Sequence, residues 1–216
     1  MAYLLDFPHP RRQSSEPKSN LHGTAGAPSF MGFVDHPESF TAEGPEVFYA
    51  QPGLVCAGAE TVAWLIDRAR SLPSGKARLC LHASPQSPVH DMIIVHGRDT
   101  YVRPHRHKLH GETLTVLQGE ATAVIFEEDG GIAGLIRMQP IDAGGVAFYR
   151  MPAGLYHALV IESEWLVFHE TCQGPFDRAN SEFAAWSPPP TDTAAAQHYL
   201  KTLRAKVAAQ RRESPR

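Results

Sequence analysis

No apolar run in this chain of 216 residues approaches the length that crosses a bilayer, so nothing in it reads as a membrane span. Cysteine is scarce. The three present, Cys56, Cys80 and Cys172, are scattered and odd in number, which argues against a disulfide framework and fits the reduced thiols of a cytoplasmic protein. An excess of charge is also missing. The formal net charge is −3, and without a basic stripe or a DNA-binding motif no nucleic-acid or acidic-membrane partner is expected. A secretory leader is not expected either, because "MAYLLDF" is too short for its apolar core and "PHPRRQSSEP" stands where a cleavage site would follow. What the chain does hold in quantity is histidine, with twelve residues.

Residues 1–44 are rich in Pro, Ser, Gly and His and follow neither regular period, which predicts a flexible N-terminal arm, docked at most by Phe30, Met31 and Phe33. Residues 45–76 hold a short strand, "EVFYA", and an amphipathic helix in which Val62, Leu65, Ile66 and Ala69 share a face. Glu60 opens that helix, Arg68 and Arg70 close it in keeping with its dipole, and Pro73 and Gly75 stop it. From Ala77 the apolar period changes to two. "RLCLH", "MIIVH", "TYV", "TLTVL", "ATAVIF", "GLIRM", "VAFYR", "HALVI" and "WLVFHE" are short strands separated by "EEDGG", "DAGG" and "PAG". Many short, evenly spaced strands over residues 77–188 predict a mainly β sandwich or barrel. "WSPPPT" ends it. Residues 189–216 predict a C-terminal helix capped by Thr191 or Asp192, with Tyr199, Leu200, Leu203 and Val207 on one face and its basic residues solvated.

His105 and His107 stand two apart, so on a strand both imidazoles point to one face. Glu112 follows a short turn. His157 comes just after "MPAGLY", a turn that returns a strand toward the first pair. A single strand histidine is usually an ordinary hydrogen-bonded residue, but three imidazoles and a carboxylate together make a borderline ligand set for one divalent transition metal ion: Fe, Mn, Ni, Zn or Co. On an octahedral ion, four protein ligands leave two positions for water or substrate.

The spacing G-x7-H-x-H-x4-E-x6-G, carried by Gly97, His105, His107, Glu112 and Gly119, resembles the first cupin motif, slightly lengthened before the histidines. G-x6-P-x-G-x2-H, carried by Gly145, Pro152, Gly154 and His157, resembles the second. The asparagine that often ends the second motif is replaced by Ile161. "ARLCLHASPQSPVHDMIIV", "YVRPHRH" and "GPF…FAAWSP" narrow the resemblance to the WbuC family of cupin-fold metalloproteins, over roughly Glu46 to Pro188. The resemblance implies a cupin-type double-stranded β-helix (a jelly-roll barrel) with flanking helices. It also implies His105, His107, Glu112 and His157 as metal ligands, and hints at surface-polysaccharide chemistry and a homodimer.

Tyr101 and Arg103 share the parity of His105 and are expected to line the same cavity as substrate-binding residues. Arg103 either recognises an anionic group or pairs with a local acid such as Glu112 or Glu170. His110, in the turn, is placed to cover the site. His82, His90 and His96 read as ordinary hydrogen-bonded residues, His169 as a weaker support for the ligands, and Trp165 and Trp186 as packing residues. The expected function is that of a metal-dependent enzyme, an isomerase, lyase or dioxygenase, acting on a small anionic sugar or carboxylic acid. The alternative is a non-catalytic module that binds or senses a small molecule.

Overall fold

A computed structural model describes residues 33–34 and 39–213. The expectation for an N-terminal arm falls largely outside these residues. Its end does not, because Phe40–Ala42 forms a strand. In chain order the strands are β1 (Phe33–Val34), β2 (Phe40–Ala42), β3 (Val47–Ala50) and β4 (Leu54–Val55); after helix α1 (Ala59–Arg70) come β5 (Lys76–Cys80), β6 (Val89–Gly97), β7 (His105–His107), β8 (Glu112–Gln118), β9 (Ala121–Phe126), β10 (Ile132–Met138), β11 (Phe148–Met151), β12 (Tyr156–Ile161), β13 (Trp165–Gln173) and β14 (Ser181–Phe183), and helix α2 (Thr193–Glu213) ends the described chain.

β1 and β4 form a small parallel pair. The other strands form two sheets, ordered β10-β9-β12-β7-β14 and β11-β8-β13-β6-β5-β3-β2. Their pairing is nested. β9 pairs antiparallel with β10, β8 with β11, β7 with β12, and β6 with β13. The chain from Val89 to Gln173 is therefore one long antiparallel ribbon with its tip at Glu127–Gly131, wound so that successive pairs alternate between sheets. That is a jelly roll, the cupin-type double-stranded β-helix expected from the motifs.

Period-two burial explains the winding. Leu114 and Val116 of β8 and Leu166 and Phe168 of β13 face inward from the seven-stranded sheet. Ala121, Ala123, Leu159 and Ile161 meet them from the five-stranded sheet. Each outer face has its own helix. Leu65 and Ala69 of α1 pack on Ala77, Leu79, Ile93, Val95 and Val167. Leu203 and Val207 of α2 pack on Val124, Phe126, Ala158 and Val160. Burying one such Leu or Val contributes about 1.5–3 kcal/mol.

α2 begins at the predicted cap, with Asp192 Oδ1 accepting from Ala195 N at 3.0 Å. Its basic residues are not all solvated. Arg204 pairs with Asp99 at 3.0 Å, and Arg211 with Glu162 at 3.3 Å, so the helix is tied to the sheet by charge as well as by apolar contact.

Candidate metal centre

Pro104 decides where the first histidine strand begins. Proline lacks an N–H and so cannot donate to a ladder, which interrupts a strand at its position. Residues 101–104 accordingly have no regular structure, and β7 starts at His105. β7 lies between β12 and β14, with His105 directly opposite His157 and His107 opposite Ser181. The Pro152–Gly154 turn is fastened to β7 by Gly154 N donating to His107 O at 2.8 Å. Glu112 comes from the facing sheet, at the start of β8 opposite Met151 of β11. Gly111 makes that approach possible, because a Cβ there would fall on the Met151 carbonyl.

The four residues predicted as ligands therefore converge from both sheets: one ligand atom from each of His105, His107, Glu112 and His157 lies within 4.8 Å of the others. Two rings are oriented from behind. His105 Nδ1 donates to Arg103 O, and His157 Nδ1 to Leu155 O, both at 2.9 Å. A ring nitrogen against a carbonyl must carry the proton, which leaves each Nε2 with a lone pair turned into the cluster. Glu112 is 5% exposed. Its Oε1 accepts from Tyr149 Oη at 2.8 Å, and its Oε2 lies 3.0 Å from His107 Nε2. His157 Nε2 lies 3.2 Å from Glu112 Oε1 in ion-pair range, yet it is a buried atom without a hydrogen-bond partner. An orphaned, inward-facing imidazole nitrogen beside a buried carboxylate fits a metal ion, and the donor set suits a divalent transition ion.

The electrostatics suit ligation. Burial, with help from the neighbouring His157, pushes the His105 imidazole down to about 4 and keeps it neutral. Burial alone would raise the Glu112 carboxyl, but the His107 and His157 imidazoles facing it hold it well below the usual carboxylate range. For His157 burial works downward, and the Glu112 carboxylate overcomes it and raises the imidazole. A metal ion at His157 Nε2 competes with a proton for that lone pair.

Two cavities adjoin the cluster. One, of about 300 Å³, is lined by His105, Glu112 and His157 together with His96, Arg78 and Glu170. The other, of about 540 Å³, has His107 and His110 on its wall and shares Arg78 and Glu170 with the first. Burial, and next the Glu112 charge, pushes the Glu170 carboxyl up to about 8. His96 Nδ1 is buried without a partner, and burial pushes that imidazole down to about 3.

Tyr101 and Arg103 are not where their parity placed them. Neither lines either cavity. Tyr101 Oη donates to Pro188 O at 3.1 Å. Arg103 donates to Ser187 Oγ at 3.1 Å, Ser187 O at 3.0 Å and Ala184 O at 3.3 Å, and its guanidinium lies 5.0 Å from the centre of the Phe183 ring. It pairs with neither Glu112 nor Glu170. The parity argument fails because residues 101–104 do not continue the strand. His110 opens onto the larger cavity. His82 and His90 bond carbonyls as ordinary histidines do, His82 to Asp91 O at 3.1 Å and His90 to Pro85 O at 3.2 Å. His169 faces Asp91 at 3.5 Å, away from the cluster. His96, expected to be an ordinary hydrogen-bonded histidine, instead lines the smaller cavity with its Nδ1 unpartnered, and Tyr149, Arg78 and Glu170 are cavity residues that sequence reasoning did not place there. Their signal was a polar residue on the inward register of a core strand, as in "FHETC", where Glu170 follows Phe168 by two.

The ribbon topology and the converging His/Glu set define a cupin-type β-protein with a candidate mononuclear metal centre. The family model that matches is the domain of unknown function DUF6016, over residues 58–138. That stretch runs from α1 through β10 and includes three of the four cluster residues but not His157. No curated protein matches the chain. Similar solved structures include the 11S globulin procruciferin from Brassica napus, at 15% identity over 44% of this chain and 22% of that chain with a TM-score of 0.35. A cupin 2 conserved barrel domain protein from Rhodopseudomonas palustris is 17% identical over 55% of this chain and 70% of that one, with a TM-score of 0.39. The DMSP lyase DddQ from Ruegeria pomeroyi is 18% identical over 53% and 54%, with a TM-score of 0.40. This chain spans less than two thirds of the length of procruciferin and of the lyase. At these identities the likenesses bear on no activity. Among the described residues no helix is long and apolar enough to cross a membrane.

Proposed function

We propose that the protein is a metal-dependent enzyme of the cupin superfamily acting on a small anionic metabolite, a sugar or carboxylic acid. The observation that carries the reading is the convergence of three imidazoles and a carboxylate, one imidazole with an orphaned Nε2, where His105, Glu112 and His157 line a cavity of about 300 Å³. His105, His107 and His157 through Nε2, and Glu112 through a carboxylate oxygen, would hold one divalent transition ion. Such an ion supplies Lewis-acid polarisation of a substrate oxygen. The chain's own groups do the rest. The Arg103 and Leu155 carbonyls and the Tyr149 hydroxyl fix the ligands. Ile94, Leu114, Leu159 and Phe168 keep one side of the cavity apolar. Glu170, protonated at neutral pH, holds an acidic hydrogen on its carboxyl at the cavity wall, where it is the candidate general acid.

The narrower kinship with the WbuC family, with its hint of polysaccharide chemistry, is supported by the residue stretches between Glu46 and Pro188. A homodimer is supported by the edge strand β11, which carries Phe148 at 56% exposure; sedimentation at micromolar concentration distinguishes it from a monomer. The test of the central reading is metal analysis with turnover. Purified protein should hold close to one transition ion per chain, His105→Ala and His157→Ala should each lower it sharply, and the loaded protein should turn over small anionic sugars or carboxylic acids. Equal metal in wild type and the double variant would sink the assignment.

A further inference from the structure

The anion-recognising arginine expected beside the metal is not Arg103, whose donors are taken by carbonyls and a hydroxyl. A different arginine stands in the cavity. β5 alternates strictly: Ala77 and Leu79 pack against α1, while Lys76, Arg78 and Cys80 point to the other face, Cys80 buried in the core and Arg78, opposite Ile94 of β6, exposed on the cavity wall. Lys76 has a counter-charge, Glu46 at 3.6 Å. Arg78 forms no ion pair and no side-chain hydrogen bond among the described residues. It lines both cavities that adjoin the four-residue cluster. Its charge is felt by the ionisable groups of Tyr49, Cys80, His82, His96, Glu170 and Cys172.

A fork of donors with nothing to bind, facing a cavity next to a ligand cluster, lacks one thing: a planar oxyanion. The protein's own acids do not provide it. Glu170 lines the same two cavities without pairing with Arg78, and Glu112 is committed to His107, His157 and Tyr149. His96 adds a neutral ring with a free Nδ1 on the same wall, suited to a hydroxyl or carbonyl of the same guest.

We infer that Arg78 is the substrate-anchoring residue, and that the cavity takes a small carboxylate whose charged end sits on the Arg78 guanidinium while its other polar groups reach His96 and the metal cluster. A carboxylate is favoured because its two oxygens match the planar fork in a bidentate pair. The inference rests on reading the cavity as the place where the protein binds its small molecule, and it names the class of that molecule.

The experiment titrates full-length protein, metal-loaded and metal-free, with pyruvate, lactate and succinate, their uncharged amides, and inorganic phosphate, followed by calorimetry and thermal shift. At least one carboxylate should bind wild type and raise its melting temperature, while the amides and phosphate do not. Arg78→Gln should weaken that binding tenfold or more with wild-type metal content and melting temperature, and Arg78→Lys should fall between. The inference is overturned if no carboxylate binds, if an amide or phosphate binds as well, or if Arg78→Gln binds like wild type. Should purified protein hold no metal, the metal reading fails alone, and the metal-free titration still decides the role of Arg78.

Discussion

Replacing Arg103 by alanine should destabilise the protein without emptying the metal centre. The side chain donates to Ser187 Oγ, Ser187 O and Ala184 O, and it stacks on Phe183. These contacts are not equal. Ser187 Oγ still donates to Ala184 O at 2.8 Å after the change, and Ser187 N still reaches the same carbonyl at 3.1 Å. Only the Ser187 carbonyl loses its partner. One hydrogen bond from a charged donor is worth about 1.5–3 kcal/mol, and the exposed-to-intermediate stacking on Phe183 adds about 0.5–1 kcal/mol. A total near 3 kcal/mol, at about 2–4 °C per kcal/mol for a chain of this size, lowers Tm by about 6–12 °C. The carbonyl of Arg103 that orients His105 belongs to the backbone and survives the substitution. Thermal and urea unfolding, run beside metal analysis of the same preparation, should therefore show a large loss of stability at unchanged metal content. An unchanged Tm together with lost metal would refute the reasoning and return Arg103 to the site.

Acid should destabilise the protein through His96, whose folded-state imidazole is pushed from 6.5 down to about 3. The unfolded chain takes up the proton first, so the stability is fully present above about 6.5 and declines as pH falls toward 3. By linkage this amounts to about 2 kcal/mol lost by pH 5, and His96→Leu should remove that part of the slope in urea melts at pH 7 and 5, whereas parallel curves for the two proteins would show that His96 is not the group responsible. Gly111→Ala should cost about 1–3 kcal/mol and reduce metal content, because its Cβ meets the Met151 carbonyl beside Glu112; Gly134→Ala, where a Cβ meets nothing within 4 Å, is the control. Equal effects at the two glycines would show that the close approach at Gly111 does not set the position of Glu112.

Much of the strand pattern was legible because most strands bury one face. "ATAVIF" coincides with β9, and "TLTVL" falls inside β8. The cluster residues were legible for a related reason. Two histidines at alternate positions, a carboxylate after a turn and a histidine after a Pro-x-Gly turn are polar residues at inward positions, which apolar packing does not call for. The failures lie where no regular period exists. "TYV" is not a strand, since residues 100–104 run irregularly into Pro104, and the parity carried through it misplaced Arg103. β14 went unseen because Ser181–Phe183 is too short to show a period, and it exists only because β7 offers it an edge. Arg78 was hidden differently. Its alternation was visible in "KARLC", but which face of β5 looks into a cavity depends on α1 covering the other.

The nested ribbon also gives the metal centre a ruler. Its tip is the Glu127–Gly131 turn, closed by Glu127 N donating to Gly131 O at 2.8 Å. From that tip two arms run back side by side, and His105 meets His157 although the arms differ in length: between the Ala121–Met138 and Thr115–Phe148 pairs one arm takes 6 residues and the other 10, the excess lying in the connection from β10 to β11. Extra residues at the tip only lengthen the bend, and both arms keep their alignment. One extra residue inside a paired strand that carries the ligands, β7, β8 or β12, slides that strand past its partner and turns alternate side chains to the opposite face. The chain can vary freely where the ribbon folds over. Its connections can take up an excess, but within the ligand-bearing strands it must count, and the four ligands are the place where a miscount shows.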